Sequence, residues 1–259
     1  MATGTSSSAP ERSEPTETVA IASVSVVIPA YNEEQRITST IDFLITNAAA
    51  FRILELIVVD DGSSDRTAEL VAATANTSEL PIRLVQLPTN RGKGAALRAG
   101  VVKAVGDYVV FVDADLSATP SAIPGALDVI EAGADVVIGT RLSAEGVDFR
   151  RTQPRIRQIS GRIFVLLRRL IVGLPYDDTQ CPFKLFTKQS AQLVYPEVQT
   201  NGWSFDVELL ARARKHQLRI EQLPIFWRHV SGSQLHVSPR TALGVIWELI
   251  AIRARVGRA

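Results

Sequence analysis

Short apolar runs alternate with longer amphipathic stretches along the first half of the chain. The runs are rich in Val and Ile and are continuously apolar, as in strands buried on both faces of a sheet. Strands are predicted at SVSVVIPA, at ELIVVD and at residues 82–87, 108–112 and 135–138. Helices are predicted between them, at about residues 34–50, 65–74, 94–105 and 122–132. This alternation predicts an α/β protein with a doubly wound, mostly parallel sheet and a ligand crevice at the carboxyl ends of its strands.

Two basic amphipathic stretches follow. Residues 150–176 contain seven arginines and no acidic residue. Apolar side chains recur there at helical spacing, at Ile159, Ile163, Leu166, Leu167 and Leu170. Another face carries an arginine every seven residues, at Arg155, Arg162 and Arg169. Residues 241–256 form the second stretch, which ends among Arg253, Arg255 and Arg258. Such C-terminal amphipathic helices either cover a sheet with a solvated charged face or lie on a membrane surface.

The composition is that of an ordinary globular protein, with 46% hydrophobic and 21% charged residues in 259. The net charge of +1 gives no overall excess that would favour a nucleic-acid partner. The single cysteine, Cys181, excludes an internal disulfide and indicates the cytoplasm. No apolar run reaches the roughly 18 residues of a membrane span. Residues 1–22 are expected to be a disordered tail, 23–238 the main domain and 239–259 a basic amphipathic helix.

The segment VVFVDADLS places two carboxylates, Asp113 and Asp115, directly after a buried strand. Carboxylates at i and i+2 of a strand end can share one divalent cation, while water and phosphate oxygens fill its other positions. Alone, such a pair more often marks a turn or a helix cap. At the carboxyl end of a parallel strand it favours a site for Mg²⁺ or Mn²⁺.

Two other polar segments follow strands and enter the same crevice. ELIVVDDGSSD contains the adjacent carboxylates Asp60 and Asp61, which need a donor partner such as the imino N–H of a nucleobase. PAYNEE contributes Tyr31 and Glu33, an aromatic and an acidic group suited to a base and a ribose. Structural alternatives stay open, because Asp65 can cap the next helix and PAYNEE can be a common loop.

Lys93 lies between two glycines in TNRGKGAALRAG, at the start of a predicted helix. Free N–H groups and the helix dipole favour anions at such a position. The segment is neither a Walker loop nor a GxGxxG motif after the first strand. These absences argue against an NTPase and against a nicotinamide enzyme.

In chain order, PAYNEE, DDGSSD, NRGKGAALRAG, DADLS and IGTR resemble the catalytic domain of family 2 inverting glycosyltransferases. Three later segments, DDTQCPFKLF, GWSFDVELL and LPIFWRHVSGSQL, are similar to the polyprenyl-phosphate group of that family, the dolichyl-phosphate glucosyl- and mannosyltransferases. DTQC followed by FKLF resembles the glucosyl branch, which favours UDP-glucose as the donor. The resemblance implies a fold of the GT-A type.

The resemblance also implies roles for individual residues. Nucleotide-sugar binding is implied for Pro29, Tyr31, Glu33, Asp60, Asp61, Lys93, Asp113, Arg228 and Ser233. Metal binding is implied for Asp113 and Asp115. The sugar and acceptor pocket would include Phe183, Lys184, Trp203 and Asp206. Catalytic roles are implied for Asp115, Asp178 and Arg141.

The chain departs from the family pattern at two positions. Pro182 stands where the family commonly has Gly, and it stiffens the loop after Cys181. Gln234 stands where Lys is usual, so one expected phosphate contact loses its charge. In FDVELL, Asp206 and Glu208 point different ways on a helix, so one of them is expected to pair with an arginine.

The implied reaction is an in-line attack by a lipid phosphate oxygen on the anomeric carbon, with inversion, while metal and basic groups neutralise the departing diphosphate. Asp178 would orient or deprotonate the acceptor. Polyprenyl phosphate presents its head group at a membrane, where the basic helices would dock. We therefore expect a protein peripheral on the cytoplasmic face, or one that relies on a membrane protein partner.

Three alternatives remain at this stage. A GDP-mannose enzyme and a transferase with a hydroxyl acceptor would carry the same motifs. A nucleotide-sugar-binding scaffold would be expected to have lost the acidic pair or Asp178, and both are intact.

Overall fold

The computed structural model describes residues 22–142, 155–228 and 239–257. Its strands are β1 (Val24–Ala30), β2 (Ile53–Asp60), β3 (Ile82–Gln86), β4 (Tyr108–Val112), β5 (Val136–Thr140), β6 (Phe183–Thr187) and β7 (Ile220–Pro224). Its helices are α1 (Ile37–Thr46), α2 (Thr67–Thr77), α3 (Lys93–Val101), α4 (Ile123–Glu131), α5 (Arg155–Ile171), α6 (Lys188–Val194), α7 (Phe205–Lys215) and α8 (Pro239–Val256). Nearly all of the expected tail lies outside the described residues, as do Ser233 and Gln234.

The strands form one seven-stranded sheet in the order β3-β2-β1-β4-β6-β5-β7. Strand β6 runs antiparallel to β4 and β5, and the other pairs are parallel. The predicted doubly wound, mostly parallel α/β sheet is therefore confirmed. Strands β6 and β7 were not among the predicted strands, because neither is a continuous apolar run.

The strand directions bring the polar segments to one edge. β1, β2, β4 and β5 end there, with Ala30 beside Asp60 across the first strand pair. The antiparallel β6 begins there instead, with Phe183 beside Val112. Strands β3 and β7 are parallel to β2 and β5, so this edge of the sheet gathers the residues that follow six strands and the residues that precede β6.

Two apolar cores lie on the two faces of the sheet. Alternate residues of one strand serve both, since Val26 and Ile28 belong to one core and Val27 to the other. Helices α1, α2 and α4 cover the first face, and α3, α6, α7 and α8 cover the second. The predicted division at residue 239 stays a prediction, although α8 contributes buried apolar residues to the second core.

Helix α5 points its predicted apolar stripe outward. Four of the five stripe residues are exposed, namely Ile159, Ile163, Leu166 and Leu170. The side that packs on the second core consists of Phe164, Leu167 and Ile171 instead. Helix α8 contacts α5 and exposes Leu243, Trp247 and Ile250. Within the described residues, no helix is both long and apolar enough to cross a membrane.

Gly100 is required where α3 crosses β1 and β2. A Cβ at this position would overlap Val27 Cγ1 and lie 2.9 Å from Val59 Cγ2. Gly100→Ala should therefore lower the free energy of unfolding by about 1–3 kcal/mol, because overpacking outweighs the gain in helix propensity. Urea denaturation of the full chain measures this change.

Gly161 provides the matched control, because a Cβ there on α5 would meet nothing within 4 Å. Gly161→Ala should raise the free energy of unfolding by about 0.5–1 kcal/mol. An equal response of the two variants would contradict the close packing of α3 against the sheet.

Candidate active site

The loops after β1 and β2 are locked together by side-chain hydrogen bonds. Asn32 donates its backbone N–H to Ser63 Oγ at 2.9 Å, and its Oδ1 accepts the N–H of Ser64 at 2.9 Å. Glu33 donates its N–H to Thr67 Oγ1 at 2.8 Å. These contacts place Tyr31 and Glu33 beside the end of β2, as the sequence predicted. Asn32 is the residue that our sequence reasoning left without a role, and it fixes this wall of the crevice.

The adjacent carboxylates after β2 have different partners. Asp60 Oδ1 accepts the N–H of Ser63 at 3.0 Å. Asp61 accepts the N–H groups of Arg91 and Gly92 at 2.8 and 2.7 Å, one on each oxygen. Asp61 therefore anchors the loop that carries Lys93, and backbone N–H groups compensate part of its charge. The nucleoside role implied for both residues stays a prediction.

The acidic pair Asp113 and Asp115 lies in a tight turn after β4. Asp113 O accepts the N–H of Leu116 at 3.1 Å, and Leu116 adopts a φ of 50°. Asp115 Oδ1 accepts the N–H of Ser117 at 2.9 Å. Asp113 pairs with Lys93 Nζ at 2.5 Å, with 26% of its side chain exposed. Both carboxylates are therefore held at the crevice and still reach solvent.

The donor set suits a hard divalent cation. Two carboxylates supply oxygen ligands, and no group of three or more His, Cys, Asp or Glu among the described residues is placed to hold a metal ion. Mg²⁺ is commonly held by one or two carboxylates plus water and substrate phosphates. Asp113 and Asp115 fit a cation that arrives with a diphosphate rather than a permanent structural metal.

Burial and these two carboxylates also affect Glu33. Desolvation raises the pKa of Glu33, and the neighbouring charges of Asp115 and Asp113 raise it further, against the lowering effect of Arg36. Burial is the largest cause, and the acidic pair lies close enough for its charge to add to the shift. A cation bound by the acidic pair would remove that repulsion.

A second ion pair lies beneath the acidic pair. Lys184 Nζ contacts Asp206 Oδ1 at 2.6 Å and donates to Cys181 O at 2.9 Å, in surroundings where Lys184 is fully buried. Burial raises the pKa of Asp206, against the lowering effect of Lys184 and Lys93. Asp206 therefore pairs with a lysine, whereas Glu208 is the residue of FDVELL that pairs with an arginine, Arg212, at 2.6 Å.

Arg141 and Asp178 form the third polar contact of the site. Arg141 Nε and Nη2 donate to the two oxygens of Asp178 at 2.6 and 2.7 Å, a bidentate arrangement. The guanidinium also lies 5.3 Å from the ring centre of Trp227. Trp227 was given no role from the sequence, because a contact between segments far apart in the chain has no local signal. The structure thus brings together the end of β5, the loop before β6 and Trp227, which follows β7.

The other predicted site residues lie around this centre. Phe183 is fully buried, so it would shape the pocket only from below, as would Lys184. Trp203 is exposed, and its carbonyl accepts a hydrogen bond from Gln180. Arg228 is exposed, and its N–H donates to Ser117 O at 3.0 Å. Pro29 is half-buried at the end of β1.

Cys181 lies within this centre but has no nucleophilic character. Burial raises the pKa of its thiol to about 12, so the thiolate is absent near neutral pH. A covalent mechanism through this residue is therefore disfavoured.

A seven-stranded, mostly parallel sheet with an acidic pair at the carboxyl end of its central strands defines an α/β glycosyltransferase of the GT-A type. The sequence profile described as "Glycosyl transferase family 2" matches residues 25–193. The chain belongs to this family and is a sugar-transferring enzyme.

Relatives and solved structures agree with this assignment. The chain is 34% identical over 243 residues to a dolichyl-phosphate beta-glucosyltransferase of Trichomonas vaginalis, covering 89% of this chain and 71% of the relative. It is 34% identical over 226 residues to the dolichyl-phosphate beta-glucosyltransferase of Dictyostelium discoideum, covering 82% and 68%. In fold it is similar to M. tuberculosis glucosyl-3-phosphoglycerate synthase, with a TM-score of 0.64, 24% identity, and coverage of 92% and 82%. Another crystal structure of that synthase holds Mn²⁺ and UDP-glucose.

The Arg141–Asp178 contact predicts a specific loss of stability. Asp178→Asn leaves a nearly buried guanidinium without its carboxylate, and only 2% of the Asp178 side chain is exposed. The free energy of unfolding should fall by about 2–4 kcal/mol. Urea denaturation measures the loss.

The adjacent Asp177 pairs with Arg169 at 2.6 Å, but about half of each side chain is exposed. Asp177→Asn should therefore change stability by no more than about 0.5 kcal/mol, because solvent screens the pair. If the two variants lost the same stability, the bidentate contact would not be a major interaction of the folded state.

Proposed function

We propose that this enzyme transfers glucose from UDP-glucose, with inversion, to a polyprenyl phosphate of the dolichyl type. The observation that carries this proposal is the similarity over most of the chain to dolichyl-phosphate beta-glucosyltransferases, together with an intact acidic pair at the carboxyl end of β4. The same names support glucose as the transferred sugar. UDP as its carrier is supported by the UDP-glucose held in the structural relative.

Asp113 and Asp115 are the residues that would hold Mg²⁺ or Mn²⁺. When bound there, the cation would offset the negative charge that builds on the diphosphate as the sugar departs. Lys93 supplies a further positive charge next to the same carboxylate. Pro29, Tyr31, Glu33, Asp60 and Asp61 would form the nucleoside side of the site, and Arg228 with Ser233 would close over the diphosphate.

Asp178 would position the acceptor rather than remove its proton. Both of its oxygens accept hydrogen bonds from Arg141, so the carboxylate is already engaged as an acceptor. A phosphate monoester has a second pKa near 6 and is largely deprotonated at neutral pH, so no strong base is needed. Arg141 carries positive charge towards the acceptor side, while Trp203 and the buried pair of Lys184 and Asp206 shape this part of the pocket.

A transfer assay tests the reaction, the donor and the metal together. The enzyme, Mg²⁺ or Mn²⁺ and a short polyprenyl phosphate are incubated with radiolabelled UDP-glucose, GDP-mannose or UDP-N-acetylglucosamine, and the organic phase is counted. Label should enter lipid from UDP-glucose alone. Asp115→Ala should lower the rate at least about 100-fold, because a positioned charge that stabilises the leaving group is lost.

Asp128→Ala is the matched control, since Asp128 is an exposed carboxylate on α4 outside the site. Its rate should equal that of the wild type. Label that enters lipid from GDP-mannose alone would show that GDP-mannose, and not UDP-glucose, is the donor. Donor turnover with no label in lipid would point to a hydroxyl acceptor, and full activity of Asp115→Ala in excess chelator would refute the metal role.

We further propose that α5 and α8 hold the enzyme on the cytoplasmic face of a membrane as a peripheral protein. Their exposed apolar residues form stripes on two helices in contact, with Leu170 67% and Trp247 70% exposed. Patches of this kind mark membrane or protein contacts. Arg155, Arg162 and Arg169 are exposed on the same helix, α5, which has no acidic residue. Apolar residues flanked by arginines suit the surface of an anionic bilayer.

Charge removal tests this membrane proposal. Replacing Arg155, Arg162 and Arg169 together by Gln should weaken binding to anionic liposomes by about 100-fold at low salt. The control replaces the exposed cations Lys103, Lys215 and Arg219 by Gln, which removes the same charge elsewhere. Co-sedimentation measures both. Equal binding of the two variants would show that α5 is not the docking surface, and a membrane protein partner would then be the next hypothesis.

A further inference from the structure

Four charged side chains of alternating sign connect the crevice to the sheet. Lys93 Nζ lies 2.5 Å from Asp113 Oδ1, and Lys184 Nζ lies 2.6 Å from Asp206 Oδ1. The two pairs are electrostatically linked, because Asp206 raises the pKa of Lys93 together with Asp113, against the lowering effect of burial. The ring of Phe111 lies near both ammonium groups, with its centre 5.2 Å from Lys93 Nζ and 5.1 Å from Lys184 Nζ.

Two aromatic rings hold the ammonium of Lys93 in place. Its ammonium lies over the rings of Phe111 and Phe205, at 5.2 and 5.8 Å from their centres. A third of its side chain, 32%, remains exposed towards the crevice. The two ring contacts thus hold the ammonium beside Asp113, and the exposed part of the side chain is open to an incoming anion.

This contact competes with a divalent cation for Asp113 Oδ1. An oxygen that accepts an ammonium at 2.5 Å offers a poor ligand position, and two cations at one carboxylate repel each other. A metal ion can use Asp113 fully only if the ammonium moves away or its charge is shared by another anion. The diphosphate of a nucleotide sugar is such an anion, and it would arrive in the same crevice.

We propose that Lys93 neutralises Asp113 in place of the metal ion and thereby couples metal binding to donor binding. The inference rests on the proposed function, in which Asp113 and Asp115 take the cation that accompanies the diphosphate. Without donor, Lys93 neutralises Asp113 and competes with the cation. With donor bound, the Lys93 ammonium pairs with the diphosphate instead, and the Asp113 carboxylate becomes available to the cation. Lys93 is in this sense a positioning residue for the metal as well as a ligand of the donor.

The coupling has a thermodynamic consequence that binding experiments measure. If donor binding releases Asp113, UDP must tighten Mn²⁺ binding, and Mn²⁺ must tighten UDP binding by the same factor. Removal of Lys93 removes the competitor, so Mn²⁺ alone binds better. It also removes a ligand of the diphosphate, so UDP alone binds worse.

The experiment measures free Mn²⁺ by electron paramagnetic resonance, with and without UDP, on the full chain. In the wild type, UDP should tighten Mn²⁺ binding by at least about tenfold. In Lys93→Met, Mn²⁺ without UDP should bind about three- to tenfold more tightly than in the wild type, and the effect of UDP should shrink by a similar factor. Lys93→Arg keeps the cation and should bind Mn²⁺ as weakly as the wild type.

Arg98→Met is the matched control for charge. Arg98 lies on the same helix, α3, and donates to Asn201 Oδ1 away from the acidic pair. Its loss removes one positive charge without touching Asp113, so Mn²⁺ binding should change by less than about twofold. If Arg98→Met tightened Mn²⁺ binding as much as Lys93→Met, a general charge effect would replace the proposed competition.

Asp113→Asn separates this inference from the proposed function. Loss of Mn²⁺ binding in Asp113→Asn, without tighter binding in Lys93→Met, would overturn the role of Lys93 and leave the metal site standing. Unchanged Mn²⁺ binding in Asp113→Asn would overturn the metal site itself. Circular dichroism verifies that each variant is folded, and Lys93→Gln carries the same expectation if Lys93→Met is unfolded.

Discussion

The ion pair between Lys184 and Asp206 is the constraint on which the site depends. Lys184 is the second residue of β6 and has no exposed surface, while Asp206 lies in the first turn of α7. Two charges removed from water stay ionised only if they compensate each other, and loss of one partner typically costs about 3–5 kcal/mol. The pair therefore fixes the distance between the sheet and α7.

Other parts of the site follow from that distance. With α7 fixed, Phe205 packs against Phe111 with ring centres 6.3 Å apart, and both rings support the ammonium of Lys93. The start of α3 is equally confined, because a Cβ on Gly94 would lie 2.5 Å from Thr200 O, just before α7. The pair of Lys184 and Asp206 is buried and has no direct access to the crevice. It nevertheless determines where the Lys93 ammonium lies beside Asp113.

The sequence predicted the parts of the fold that depend on local patterns. Strands β1, β2 and β4 are continuous apolar runs, and the polar segments after them lie at one sheet edge because parallel strands end there. Strand β6 was missed because Lys184 interrupts its pattern. That lysine is compatible with a buried strand only through Asp206, 22 residues later, and such a pairing has no local signal. For the same reason the contact between Arg141 and Trp227 was not foreseen.

The orientation of α5 was open for a different physical reason. The helix has apolar residues on more than one side, so periodicity alone does not decide which side meets the core. Phe164, Leu167 and Ile171 pack inward, which leaves the other four residues of the predicted stripe outside. Arg168 also points inward and is fully buried, with a hydrogen bond from Nη2 to Tyr176 O and a pKa lowered by burial to about 10.

The hydrogen bond of Arg168 connects helix α5 to the site. Arg168 belongs to the same helix as the exposed stripe, and its partner Tyr176 precedes Asp178 by two residues. Asp178 in turn accepts hydrogen bonds from Nε and Nη2 of Arg141. A buried guanidinium is costly to move away from its acceptor, because donors left without partners are penalised. Helix α5 and Asp178 are thus connected through one hydrogen bond and the short segment from Tyr176 to Asp178. In the proposed function Asp178 positions the acceptor, so a lipid phosphate that reaches the enzyme from a membrane in contact with α5 would arrive beside this segment.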